Sequence, residues 1–146
     1  FDKITISNAI CFAPGGQLAY FTDTARGVIR RVALDGDGWP KGAPEDWLDL
    51  RAEGLNPDGA VVDADGNLWN AQWGAGRVAC YGPDGVFRWS VDFPTPQISC
   101  PAFGGPDLSV LYATSASRDL EDDAMAGQTF ATAVSARGQQ EHRVVL

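Results

Sequence analysis

Two oxygen-bearing side chains, Asn8 and Asp58, are the residues of this sequence best suited to chemistry. Asp58 lies in the turn-like stretch Asn56-Pro57-Asp58-Gly59, directly before an apolar run. Asn8 precedes a similar run 50 residues earlier, so the two residues occupy the same place in two successive repeats. Amide and carboxylate oxygens are hard ligands that suit Ca²⁺ or Mg²⁺ and are acceptable to Mn²⁺ or Zn²⁺. The repeat therefore predicts a divalent-metal site, which two ligands alone leave incomplete.

Without its repeat equivalent Asn8, Asp58 would be interpreted as an ordinary turn residue, since a turn aspartate commonly forms a hydrogen bond with its own backbone. The other acidic residues also favour structural interpretations. The stretches 35–39 and 63–67 each carry alternating acidic or amide residues. Both lack the Gly that an EF-hand requires, and the second also has Gly74 where the bidentate Glu belongs. We interpret both as hairpin turns, and the acidic run 121–123 as a solvated loop.

Two tryptophans of one strand-like run are expected to differ in role. Trp69 is expected to pack between sheets, whereas Trp73, next to Gly74, is a candidate to line a channel mouth and contact substrate.

The cysteines and the single histidine argue against a thiol or serine nucleophile. Cys11, Cys80 and Cys100 are odd in number and form no Cys-x-x-Cys pair, so we expect buried, reduced thiols in a cytoplasmic protein. The only histidine, His142, lies far along the chain from all three. A catalytic triad or Cys-His pair could be built only around it, and we regard that as improbable.

Composition excludes several partners. The formal net charge is −8 and the pI is near 4.4, so the field of the protein repels nucleic acid and anionic membranes. No apolar run approaches the roughly 20 residues that span a bilayer. The 146 residues fit one domain, rich in turns because 17 are Gly and 9 are Pro.

Short β-branched and aromatic runs separated by turn residues predict an all-β fold with almost no helix. They group into three four-stranded antiparallel units, at approximately 5–50, 56–94 and 98–146, the last ending in a strand at 144–146. Residues 118–128 form an irregular insert, and residues 1–4 are expected to be the last strand of a preceding unit. Four-stranded units of this length are typical of β-propeller blades, and three blades are half of a six-bladed propeller.

The sequence also resembles a known family. The segments that carry the likeness are 6–10, 56–59, 68–78, 103–108 and 111–116. Together they resemble the SMP-30/gluconolactonase/LRE-like family, which includes regucalcin and sugar lactonases. The likeness spans essentially the whole chain but only the C-terminal half of the family's six-bladed propeller.

The resemblance implies a function and a ligand set. A divalent metal (Ca²⁺, Zn²⁺, Mg²⁺ or Mn²⁺) in the central channel would be held by a Glu, an Asn and an Asp. Asn8 and Asp58 match the last two, while the Glu would precede this chain. The implied reaction is hydrolysis of a sugar lactone, with Asp58 as metal ligand and general base. Ala9 departs from the Gly that commonly follows the Asn, and we expect the ligand role to survive.

Three functional interpretations stay open from sequence. A sugar lactonase is favoured, a non-catalytic calcium-binding or protein-interaction propeller is the alternative, and a six-bladed esterase or phosphotriesterase is the third. Three blades alone would expose two apolar faces. Closure is therefore expected from the other half of a longer chain or from a second copy in a homodimer, in which metal binding would be altered and lactonase activity low or absent.

Overall fold

The computed structural model describes residues 1–141, and its regular secondary structure is almost entirely β-strand, arranged in three antiparallel sheets. Each sheet is formed by consecutive strands, as the prediction of successive blades requires. The first contains β1 (Ser7–Phe12), β2 (Leu18–Asp23), β3 (Val28–Ala33) and β4 (Glu45–Asp49). The second contains β5 (Asn56–Val62), β6 (Leu68–Trp73), β7 (Arg77–Tyr81) and β8 (Phe87–Asp92). The third contains β9 (Ile98–Gly104), β10 (Val110–Ser115) and β11 (Thr129–Ala133).

The predicted succession of three antiparallel sheets is confirmed, with two qualifications at the ends of the chain. The strand expected at 144–146 lies outside the described residues. The strand expected at 1–4 is wrong, because these residues form no ladder and Lys3 has a φ of 58°, which is not extended. Phe1 stacks on Phe21 with ring centroids 4.8 Å apart. No helix in the part of the chain that the structure describes is long and apolar enough to cross a membrane.

Apolar layers between neighbouring sheets hold the blades together. One layer joins Tyr20 and Ile29 of the first sheet to Leu68 of the second. The other joins the second and third sheets and is centred on Trp69, which is fully buried with its ring edge-on to Phe103 at 5.4 Å. The packing role predicted for Trp69 is thereby confirmed. Burial of such side chains, at about 25 cal/mol per Å² of apolar surface, is what fixes one blade against the next.

The first strands of the three sheets lie side by side, with β5 between β1 and β9. Each is irregular near its beginning, where the pairing register shifts: at residues 8–11 of β1, at 57–60 of β5, and at Ser99 of β9. Such bulges leave residues outside the ladder and re-aim their side chains. The fold therefore brings the starts of the inner strands together at one end of the array.

The open face of the first sheet is apolar. Ile10 and Trp39 are 64% and 71% exposed and border a groove of about 410 Å³. This agrees with the expectation that a further blade or a second copy covers the sheet. The homodimer itself stays a prediction.

Candidate metal centre

A cleft of about 450 Å³ lies at the end of the array where the inner strands begin. Asn8, Asp58 and Trp73, the three residues singled out from the sequence, all border this cleft. The other residues of its wall are Ile6, Thr24, Ala25, Asn56 and Arg118. The structure therefore brings the predicted ligands together with the predicted substrate-contacting ring, although their roles stay predictions.

Asn8 and Asp58 owe their placement to the bulges in β1 and β5. Asn8 is the last regularly paired residue before the bulge in β1, and Asp58 lies within the bulge of β5. Ala9, next to Asn8, has φ of 52°, in the left-handed region where Gly has no steric penalty. This conformation gives a physical reason for the Gly at that place in the family pattern. Ala9 keeps the conformation, so the position of Asn8 is preserved.

The environment of Asp58 favours a cation. Burial raises the pKa of the Asp58 carboxyl, and a hydrogen bond from the Gly59 N–H partly opposes that rise. Among the described residues no ion pair involves this carboxylate. A carboxylate withdrawn from water with no basic partner is stabilised by any cation that reaches it. Asp58 and the Asn8 amide thus form a donor set of hard oxygens that fits a divalent metal.

Asn70 fixes the backbone of the Asp58 bulge. Its side chain is fully buried, and its Nδ2 donates to the carbonyl oxygens of Asp58 at 3.2 Å and Gly59 at 3.1 Å. Its own Oδ1 is buried and has no hydrogen-bond partner among the described residues. A bulge leaves carbonyl groups without ladder partners, and Asn70 satisfies two of them at the cost of one unpaired amide oxygen.

Sequence reasoning missed two polar residues of the cleft. Arg118 belongs to the insert between β10 and β11, and its backbone N–H donates to Gln97 Oε1 at 3.0 Å. Thr24 begins a short 3₁₀ turn after β2. The insert has no counterpart in the other repeats, and the residue 50 positions after Thr24 is Gly74, so the repeat gave no signal for either.

The stretches 35–39 and 63–67, which partly resemble calcium-binding loops, are hairpin turns, as predicted. The Asp63 carboxylate is fully buried and accepts hydrogen bonds from the backbone N–H groups of Asp65 and Asn67 and from Trp69 Nε1. Asp35 accepts the N–H of Trp39 in the same manner. Among the described residues, no three His, Cys, Asp or Glu side chains cluster closely enough to hold a metal.

The prediction that the cysteines are buried was right for two residues and wrong for the third. Cys11 and Cys80 are buried free thiols, and burial raises the pKa of each to about 12. Cys100 is a free thiol too but is exposed, because it falls on the open side of β9. Burial and the nearby Asp58 carboxylate raise its pKa as well, which disfavours the thiolate. His142 lies outside the described residues.

Consecutive antiparallel sheets of four, four and three described strands, with oxygen-bearing side chains where the inner strands begin, define this chain as part of a β-propeller with a candidate metal centre. The sequence profile of the SMP-30/gluconolactonase/LRE-like region matches residues 1–117. The chain belongs to this family.

Named relatives agree with that assignment. L-arabinolactonase of Azospirillum brasilense is 42% identical over 88% of this chain and 42% of its own length. The 6-deoxy-6-sulfogluconolactonase of Pseudomonas putida is 37% identical over 94% of this chain and 49% of its own. The crystal structure of a calcium-binding protein, regucalcin, from Agrobacterium tumefaciens superposes with a TM-score of 0.89 and 42% identity. The match covers 94% of this chain and 49% of the regucalcin chain. The chain therefore spans about half the length of these relatives.

Proposed function

We propose that the whole protein hydrolyses a sugar lactone with the help of a divalent metal, and that this chain supplies the C-terminal half of its propeller. The observation that carries the proposal is the meeting of Asn8 and Asp58 in one cleft, where the Asp58 carboxylate forms no ion pair with any described residue. Relatives named as lactonases support the same reaction class. A further oxygen ligand would come from the part of the propeller outside this chain.

Three residues of the cleft have distinct tasks in this reaction. When bound, the metal would polarise the lactone carbonyl and stabilise the negative charge that develops on its oxygen. Asn8 is a neutral ligand, so it holds the metal without reducing its charge. Asp58 takes a proton from the attacking water as the oxygen of that water bonds to the carbonyl carbon. The ring C–O bond then breaks, and the ring oxygen leaves as a hydroxyl that carries the proton. Trp73 presents an aromatic wall to the sugar.

A non-catalytic calcium-binding propeller is the second candidate, and the similar structure described as a calcium-binding protein favours it. The same two ligands would serve both functions, so metal binding alone does not separate them. Hydrolysis does, because a calcium-binding regulator has no need of a base beside its ion.

Replacing Asp58 tests the proposal in the whole protein. We expect Asp58→Asn to lower lactone hydrolysis by at least about 100-fold, because it removes the ligand charge and the base together. Rates would be measured with a pH indicator on a panel of aldonolactones, aryl esters and phosphotriesters, and bound metal by elemental analysis. Asp37→Asn, a matched change at an exposed turn, should leave both unchanged.

Two outcomes of this experiment would contradict the proposal. Near-normal rates and metal content in Asp58→Asn would show that Asp58 is not in the centre. A wild-type protein that binds calcium but hydrolyses none of the substrates would establish the non-catalytic alternative.

A further inference from the structure

One hydroxyl group connects the two ligand-bearing strands. Thr24 Oγ1 accepts a hydrogen bond from Asn8 Nδ2 at 3.0 Å and donates one to the carbonyl oxygen of Pro57 at 2.6 Å. Pro57 directly precedes Asp58 in β5. The hydroxyl thus touches the side chain of one candidate ligand and the backbone next to the other, across two neighbouring blades.

The Thr24 hydroxyl can donate only one hydrogen bond, and this determines the orientation of the Asn8 side-chain amide. A threonine hydroxyl has a single hydrogen, and the Pro57 carbonyl can only accept. The hydrogen therefore points to Pro57, and towards Asn8 the hydroxyl can only accept. Asn8 must then present its NH₂ group to Thr24, so its Oδ1 lies on the opposite side of the amide. The two ends of an amide are otherwise hard to distinguish, but here the bonding partners decide.

The local turn does not need this hydroxyl. Asp23 caps the 3₁₀ turn Thr24–Arg26, because its carboxylate accepts a hydrogen bond from the N–H of Ala25. At the end of the turn, the N–H of Gly27 donates a hydrogen bond to the carbonyl oxygen of Thr24. The Thr24 backbone N–H is also satisfied, since it donates to the Ile6 carbonyl at 2.9 Å. The side-chain oxygen is therefore free to act between blades, and both of its bonds go to the candidate metal centre.

We propose that Thr24 is a positioning residue that turns the Asn8 amide oxygen towards the metal and holds the Asp58 strand beside it. The proposal rests on the proposed metal centre. Partners of metal ligands typically contribute 10–100-fold to metal affinity, because they fix the ligand in its binding orientation. Without Thr24 the Asn8 amide can rotate and present NH₂, which repels a cation.

Calcium titration of the metal-free whole protein tests the role directly. We expect Thr24→Val, which removes the hydroxyl but keeps the shape, to weaken calcium binding by about 10–100-fold. Thr24→Ser keeps the hydroxyl and should bind within about threefold of wild type. Thr22→Val is the matched control, because the Thr22 hydroxyl makes a comparable 2.7 Å bond to the Val28 carbonyl on the neighbouring strand. We expect it to reduce stability and leave calcium affinity unchanged.

A second comparison separates orientation from general support. Asn8→Asp replaces the amide with a carboxylate, which presents oxygen in either rotation. In that background Thr24→Val should weaken calcium binding much less than in the wild type, and any remaining loss comes from the missing bond to the Pro57 carbonyl. Thr24→Ala gives the same comparison if the valine variant does not fold.

Different results would contradict the positioning role of Thr24 and the proposed metal centre. Wild-type affinity in a folded Thr24→Val protein would overturn the positioning role alone. An equal loss in Thr22→Val, or an undiminished loss in the Asn8→Asp background, would show that Thr24 is merely structural. A wild-type protein that binds no calcium, manganese, magnesium or zinc would overturn the metal centre itself.

Discussion

The approach of β5 to β9 beside Asp58 is the tightest feature of the candidate centre, and Gly59→Ala probes it. A methyl group on Gly59 would lie 2.7 Å from the Ser99 carbonyl oxygen, 2.8 Å from Cys100 Sγ and 2.9 Å from Cys100 Cα. Two of these are backbone atoms, so no side-chain rotation relieves the overlap. The inner strands of two blades would have to separate by several tenths of an ångström.

The expected loss follows from two opposing effects. Overpacking of this kind costs about 1–3 kcal/mol. Alanine also restricts the unfolded chain, which returns about 0.4–1 kcal/mol. Gly59 does not have a positive φ, so no backbone strain is added. We expect a net destabilisation of about 1–2 kcal/mol. Calcium affinity should fall too, because Asp58 shares the bulge that must move.

Urea unfolding and calcium titration of the whole protein measure both effects. Gly36→Ala is the control, since its added methyl meets no atom within 4 Å and its φ is not positive, so only the stabilisation of about 0.4–1 kcal/mol from the restricted unfolded chain is expected. Adding Cys100→Ala to Gly59→Ala should restore only part of the stability, because the backbone contacts remain. A Gly59→Ala protein as stable as wild type would refute the close packing of the two strands. Full rescue by Cys100→Ala would show that sulfur alone was the obstacle.

Two further predictions concern buried carboxylates. Asp63→Asn should destabilise the protein by about 3 kcal/mol in urea unfolding, because an NH₂ group would replace an oxygen that accepts buried donors. Asp65→Asn at the exposed neighbouring position should change stability by less than about 0.5 kcal/mol, and an equal loss in both would contradict this assignment. Asp23 is the pH-sensitive case: hydrogen bonds from the backbone N–H groups of Ile6 and Thr5 hold its pKa below the ordinary 3.8. Its contribution is complete above that value and is lost as pH falls through the lowered folded pKa. Below about pH 4 the wild type should therefore lose stability more steeply than Asp23→Asn, and parallel unfolding midpoints from pH 7 to pH 3 would contradict the assignment.

The blade architecture could be predicted because it depends on residues that are close together in the sequence. Turn residues separate short apolar runs throughout the chain, and each run pairs with the next one along the sequence. The offset of 50 residues was equally informative for the site. Equivalent positions of successive blades lie at the same end of neighbouring inner strands, and the structure places Asn8 and Asp58 in one cleft accordingly.

The rest of the site depends on contacts that no repeat encodes. The hydroxyl of Thr24 meets partners 16 and 33 residues away, and each belongs to a different strand. Arg118 reaches the cleft from an insert with no counterpart in the other blades. Cys100 was wrongly expected to be buried because thiols usually are, whereas the alternation of β9 places it on the open side. Such contacts follow from how the sheets pack, which the sequence of a single blade does not contain.

Two unfavourable local features of the described chain lie where β1 and β5 begin, while the other non-glycine residues with positive φ, namely Lys3, Leu108 and Asp119, lie outside the strands. Ala9 keeps a left-handed conformation that glycine would adopt freely, and Asn70 leaves a buried amide oxygen unpaired to satisfy the carbonyls of the bulge. A blade needs neither, since the inner strand β9 has a register shift but no non-glycine residue with positive φ and no buried unpaired side-chain atom. Strain and incomplete hydrogen bonding persist in folded proteins where the surrounding structure over-determines them, and they cluster at functional sites. Both features adjoin the predicted ligands, Asn8 and Asp58. This local cost therefore favours a binding site over a purely structural scaffold at this end of the propeller.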